Sequence, residues 1–253
     1  MRITFGIRLK LLALFCGLTT CSACHPMYFV EPHSTPLFTK AGEVNAGVVH
    51  GTDGGGYVQA SVAASDQLLV HGTFEINDHS SNQQSALSGG LGYYGKTGII
   101  NYAILGGAGF GYHKYFGYDT AVVGLYNLES DFLSGRWDFK RYYVQGVAGI
   151  SDTVRSPFFS WLKSTLTEGI SARIEYLDIY RLNTTTSYSY PDVPDLPDTR
   201  ARRCLSFDIA IFQSVKVYFV KVYYQVAYQY ETRIFDVVYA PALQLSFGAA
   251  LDF

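Results

Sequence analysis

Gly90-Leu91-Gly92-Tyr93-Tyr94-Gly95-Lys96-Thr97 fits G-x-x-x-x-G-K-[ST] letter for letter, the pattern of a loop whose backbone N–H groups cradle nucleotide phosphates. That chemistry needs a buried strand before the glycines and a helix after them. Ser80-Ser81-Asn82-Gln83-Gln84-Ser85 upstream is too polar for such a strand, and Gly98-Ile99-Ile100 downstream opens a poor helix. The stretch therefore reads as a strand end and a tight turn at Gly95–Gly98, with no nucleotide bound. Gly106–Gly111 (GGAGFG) lacks the last glycine of the dinucleotide fingerprint, where Tyr112 stands, and reads as small residues that let a strand pack closely. The six histidines, His25, His33, His50, His71, His79 and His113, show no metal-ligand spacing, so neither metal nor cofactor is expected. His79 and His113 fall at outer strand ends near Asp78, Ser80, Ser81 and Asp119, where a nucleophile and its base could meet. Loop polarity is the simpler account, so no catalytic residue is assigned and no enzyme is expected.

A better-grounded group is ionic. Glu43, His71, Glu75, Arg141, Arg173, Glu175, Asp208, Lys221 and Asp252 all fall on one phase of segments that alternate apolar and polar. Charges on the inner face of a sheet persist only when paired or hydrated. They predict an interior filled by ion pairs and Tyr/Gln hydrogen bonds, with a small water or solute channel as the alternative.

The alternation itself defines the elements. In 217–230 (VYFVKVYYQVAYQY), Tyr218, Val220, Val222, Tyr224, Val226, Tyr228 and Tyr230 share one face. In the last segment Leu243, Leu245, Phe247, Ala249, Leu251 and Phe253 do the same. Each apolar face runs the ~9–11 residues of a membrane-crossing strand, and the first carries Tyr towards both ends as an interfacial belt requires. Strands are expected near 42–50, 57–65, 68–77, 86–94, 99–112, 140–150, 169–181, 203–212, 217–230 and 240–253. Asp66-Gln67, Gly95–Gly98 and Gln213–Lys216 are tight connections, whereas 78–85, 113–139 and 182–202 are long. The connection at 151–168 is long for the tight side, and its SPFFSWLKS stretch reads as a short interfacial helix or an added strand pair.

The fold class is therefore all-β: a closed antiparallel transmembrane β-barrel of about 10 strands, with 12 as the alternative, short periplasmic turns and longer extracellular loops. A soluble sandwich or lipocalin-like barrel also alternates, but would turn its apolar faces inward. Small residues on the polar faces (Ser61, Ala63, Ser88, Gly90, Gly92, Ala103, Gly107, Gly109) suit a crowded interior better than a solvated exterior.

Composition agrees. Charged residues make up only 16%, against a usual ~25%, while the chain carries 21 Tyr, 17 Phe and 25 Gly. Arg2, Arg8 and Lys10 before Leu11–Leu18 mark residues 1–23 as a signal peptide, too short in its apolar run to span a bilayer. Its removal takes away those three positive charges and no negative one, leaving 16 basic against 21 acidic side chains, so no nucleic acid is expected as a partner. Cys204 is then the lone cysteine outside the signal region, which excludes a disulfide framework. Cysteine at a signal's end resembles a bacterial lipoprotein processing site. Cys24, after Ala23, is preferred over Cys21, and an unlipidated signal is the alternative. Residues 24–40 then form a periplasmic linker and 41–253 the barrel.

Ser246-Phe247-Gly248-Ala249-Ala250-Leu251-Asp252-Phe253 resembles the carboxyl-terminal insertion signal of bacterial outer-membrane proteins, with Ser246, Gly248, Leu251 and Phe253 at its defining positions. The stretch from Pro36 to Ile76 resembles uncharacterised outer-membrane β-barrel proteins of the Bacteroidota, through its Pro-Leu-Phe lead-in and Lys-x-Gly-Glu start. The resemblance implies this fold and a place in the bacterial outer membrane; a monomer, inserted by the barrel-assembly machinery and surrounded by outer-membrane lipid, is expected. It supplies no catalytic residues. The expected role is structural, or binding of a surface ligand or glycan through loops 113–139 and 182–202. A small passive pore is the alternative, and a rim-sited hydrolase the second.

Overall fold

The computed structural model describes residues 31–51, 55–79, 82–118, 132–155, 163–187, 202–231 and 242–253. Ten strands run in chain order: β1 (Val44–Gly51), β2 (Gly56–Ala63), β3 (Leu68–His79), β4 (Asn82–Thr97), β5 (Ile100–Tyr118), β6 (Phe132–Arg155), β7 (Lys163–Ser187), β8 (Arg202–Val217), β9 (Val220–Glu231) and β10 (Ala242–Asp252). Each pairs antiparallel with its neighbour, and β1 pairs with β10, so the sheet closes on itself. Closure leaves no strand edge unpaired, as a sheet in hydrocarbon requires. At the seam the N–H groups of Val44 and Phe253 donate to each other's carbonyls at 3.0 and 2.9 Å.

All ten expected strands are present, and several reach further than their hydrophobic signal. β6 and β7 pair from Phe132↔Ser187 to Arg155↔Lys163, so the residues flanking SPFFSWLKS lengthen two existing strands instead of adding a pair. Ten is the count and the twelve-strand alternative falls away. Residues 156–162, and with them the interfacial helix, lie outside the described residues. Two turns move. β8 continues to Val217, so Gln213–Lys216 is strand, and the chain reverses at Tyr218-Phe219, where Tyr218 takes φ 56°. β4 likewise runs to Thr97, and the reversal falls at Gly98-Ile99, with Gly98 at φ 61°. In both cases the ladder's own hydrogen bonds carry the strand past the polar residues that suggested a turn.

Burial follows the alternation closely. Along β9, Lys221, Tyr223, Gln225, Ala227 and Gln229 are buried inside, while Val220, Val222, Tyr228 and Tyr230 face out. The apolar faces point outward all round the barrel, as at Val70, Leu91, Ile104, Val144, Ile174 and Phe247. That is the reverse of a soluble sandwich. Aromatic pairs mark both ends of the outer wall. Phe219 stacks on Phe253 (5.9 Å) and Tyr93 lies 6.3 Å from Tyr102 near the short turns, and Tyr142 lies 6.4 Å from Tyr176 further up. Phe219, which alternation along 217–230 would put on the face opposite Tyr218 and Val220, is exposed because the turn releases it from the strand phase.

Candidate functional site

The lumen holds a piece of its own chain. Residues 31–38, part of the stretch read from sequence as a periplasmic linker, run extended inside the barrel, and all but the half-buried Leu37 are buried. Glu31 is the innermost described residue, and Thr39 reaches the short-turn mouth beside Glu43. An extended segment has main-chain groups that must be satisfied, and the wall supplies the partners. The Arg173 guanidinium donates to the Glu31 carbonyl at 2.6 Å, and Gln59 to that of Pro32 at 3.0 Å. The Gln145 amide donates to the Ser34 carbonyl. The Gln225 amide spans His33, donating to its carbonyl at 3.1 Å and accepting its N–H at 2.8 Å. Pro32 and Pro36 lack an N–H and so remove two donors that would otherwise need partners.

The charged side chains cluster around the inner end of this segment. Arg141 on β6 lies 2.7 Å from the Glu31 carboxylate and 3.7 Å from that of Glu75 on β3. Arg173 on β7 lies 3.1 Å from Asp208 on β8 and 3.8 Å from Glu175. Ser88 donates to Glu31 at 3.2 Å, and Gln84 to Glu75 at 2.6 Å. Four carboxyl groups thus meet two guanidinium groups in a site screened from solvent, where each lost partner is felt strongly. Two histidines bridge segment and wall. Ser171 donates to the Gly146 carbonyl, so the His33 Nδ1 N–H, 2.8 Å away, donates to Ser171. His71 lies 3.0 Å from Ser61 and Thr73 and 3.3 Å from Ser34. Glycine makes room for the cluster: a Cβ on Gly109 would stand 3.0 Å from Arg141 Nε, and one on Gly107 only 2.5 Å from the Tyr143 ring.

Below the charges the lumen turns apolar. Phe38 packs with Ala63, Leu69, Tyr94, Ala103, Leu105, Val147 and Phe212, with Leu37 against them. Its ring meets Tyr94 edge-on at 5.8 Å, and the Tyr94 hydroxyl donates to the Ser65 carbonyl at 2.6 Å.

Of the charges expected inside, His71, Glu75, Arg141, Arg173, Glu175, Asp208 and Lys221 are buried there. Glu43 and Asp252 sit half-buried at the short-turn mouth, where Glu43 accepts the Thr39 N–H and hydroxyl and Asp252 lies 3.2 Å from Lys216. Sequence reasoning missed Glu31, His33 and Phe38. His113, read as a loop residue, is buried in β5, stacked on Trp137 at 4.4 Å and 2.7 Å from Gln84. The P-loop-like residues lie along β4 with no helix after them. Ser246 is buried at the β1–β10 seam, Gly248 lies beneath the Tyr223 ring, and Leu251 and Phe253 face out. Cys21 and Cys24 lie outside the described residues, as do 119–131 and 188–201, whereas the flanks of the expected loops 113–139 and 182–202 are strand, because β5 runs to Tyr118, β6 starts at Phe132 and β7 runs to Ser187. Among the described residues no group of three or more metal-ligating side chains forms.

No family model matches this chain, and no curated protein does. Solved structures resemble it distantly. Neisserial surface protein A is 14% identical, with 83% of this chain and 96% of that one covered and a TM-score of 0.36. LpxR from Salmonella typhimurium is 8% identical, covering 83% and 100%, at 0.38. The Yersinia pestis outer membrane protein Ail is 10% identical, covering 85% and 99%, at 0.27. Ring closure and the filled lumen are read from this chain's own ladder and contacts.

Proposed function

We propose that this chain is a bacterial outer-membrane β-barrel whose lumen is closed by residues 31–38, serving the envelope structurally or binding ligands at its surface instead of conducting solutes. One observation carries the reading: an internal segment seated by main-chain hydrogen bonds from four strands, two buried arginines and an apolar collar. A ten-stranded bore is only slightly wider than the eight-stranded barrels that side chains fill, so one extended segment leaves little passage. The apolar outer wall and its aromatic borders support a membrane setting, because a soluble protein rarely exposes so continuous an apolar surface. Insertion by the barrel-assembly machinery, a signal peptide ending near Cys24, a monomeric state, loops that contact a surface ligand or glycan, and kinship with Bacteroidota barrels belong to the same proposal.

Planar bilayers test it. The refolded protein is expected to be silent under applied voltage and to show heat-modifiable mobility in detergent gels. Steady open-channel steps from the unaltered protein would replace this reading with the passive pore.

A further inference from the structure

The short-turn mouth of the lumen carries a charge imbalance. The β8–β9 hairpin sets Lys216 directly opposite Lys221. Like charges facing across a ladder destabilise it unless something lies between them. Lys216 finds Asp252 at 3.2 Å. Lys221 lies deeper, only 9% exposed, and among the described residues no carboxylate comes within ion-pair distance of it. Its ammonium has the Tyr223 ring 6.0 Å away. A buried ammonium without a counter-ion is costly.

A cavity of about 390 Å³ adjoins it, lined by Lys221, Lys216, Lys96, Asn101, Ser214 and Thr167 among others, with Leu37 and Thr39 of the lumen segment at its inner side. Both carboxylates on the cavity are engaged. Glu43 accepts from Thr39 and Lys40, and Asp252 holds Lys216. Three lysines, Lys96, Lys216 and Lys221, thus face two carboxylates, which leaves one positive charge in surplus at this mouth.

We propose that this cavity is a binding site for an oxyanion of the phosphate class, held by the Lys221 ammonium, with Lys96 at its entrance and the Ser214 and Thr167 hydroxyls as hydrogen-bond donors. An ammonium screened from water and flanked by hydroxyl donors is the chemistry such an anion selects. The site holds whether or not the barrel conducts, because it lies below the apolar collar. A free phosphate and a phospholipid headgroup share this chemistry, and the experiment separates them.

The full chain, folded in neutral detergent, is titrated with inorganic phosphate at constant ionic strength while its thermal midpoint is followed. At about tenfold above Kd the midpoint is expected to rise by about 3–6 °C and to saturate. Lys221→Met should abolish the rise, and by removing the facing like charge should leave the phosphate-free midpoint equal or higher. Lys96→Met, at an exposed position that cannot upset packing, should weaken binding several-fold. Lys140→Met on the outer wall should change nothing. Bicelles with phosphatidic acid form the second arm: a Lys221-dependent rise with that lipid alone assigns the phosphate to a headgroup, and with free phosphate assigns it to solution. No saturable rise in either arm, or an equal rise in Lys221→Met, overturns the site.

Discussion

The two ends of residues 31–38 are held by opposite means. At Glu31–Ser34 the wall offers guanidinium, amide and hydroxyl groups, and most contacts go to the main chain or to the Glu31 carboxylate. At Leu37-Phe38 the contacts are apolar throughout. Burying a Phe side chain stabilises by about 1.5–3 kcal/mol. A buried ion pair contributes little net, because desolvation offsets attraction, yet removing one partner is severe. The apolar collar therefore supplies most of the holding energy and the polar end sets the register. Sliding by two residues, roughly 6–7 Å of extended chain, would carry Glu31 away from Arg141 and leave Arg141 with Glu75 alone.

The sharpest way to break this division is Arg173→Leu. It leaves Asp208 and Glu175 buried beside a leucine and removes the donor to the Glu31 carbonyl. The barrel is expected to lose about 3–5 kcal/mol, read as a lower urea midpoint or a lower heat-modifiable transition in detergent. Unchanged stability would mean that the charged interior does not hold the fold. Phe38→Ala comes next, at about 3 kcal/mol. Its loss should loosen the segment from its base, so channel openings are expected in planar bilayers together with the lower midpoint. A silent Phe38→Ala variant would shift the holding role to the polar end.

The outer wall and strand order were legible because lipid on one face and a packed lumen on the other impose period two, and that pattern is local. Tyr218 and Gly98 show where legibility ended: turn positions depend on how far the ladder keeps pairing, which polar residues such as Gln213 and Lys216 do not reveal. The inward phase of Arg141 and Arg173 could be read, but their partner Glu31 could not, since 31–38 has no periodicity and its contacts span 142 residues of sequence in the case of Arg173. One signal was present. Leu37-Phe38 is an apolar pair between Pro36 and Thr39 in a stretch otherwise suited to solvent, and such a pair asks what covers it. His113 misled because a polar residue beyond the apparent strand end looks like loop until the strand is seen to continue to Tyr118.

Glu31→Gln tests the register end with less disturbance. The amide keeps the shape and the main-chain contacts but loses charge complementarity to Arg141, at an expected cost of about 1–2 kcal/mol. Brief channel openings should appear if register alone keeps the lumen shut. In a double-mutant cycle with Arg141→Met, the two effects should fall short of additivity by about 1 kcal/mol or more, because the pair is in contact. Strict additivity would show that the Glu31 carboxylate and Arg141 do not support each other.

The smallest effect supplies the control that both ends need. Gly98 turns the chain between β4 and β5 at φ 61° and touches nothing within 4 Å of where a Cβ would stand. Alanine there meets no clash, only the left-handed backbone penalty, so Gly98→Ala should lower the unfolding midpoint by about 1 kcal/mol. The turn is remote from Glu31 and Phe38, so the weakened barrel should stay silent in planar bilayers. If Gly98→Ala opens channels as readily as Phe38→Ala, openings report a generally softened wall, and conductance then says nothing about what seats residues 31–38. If it stays shut at a stability loss like that of Glu31→Gln, any openings of Glu31→Gln belong to the segment itself.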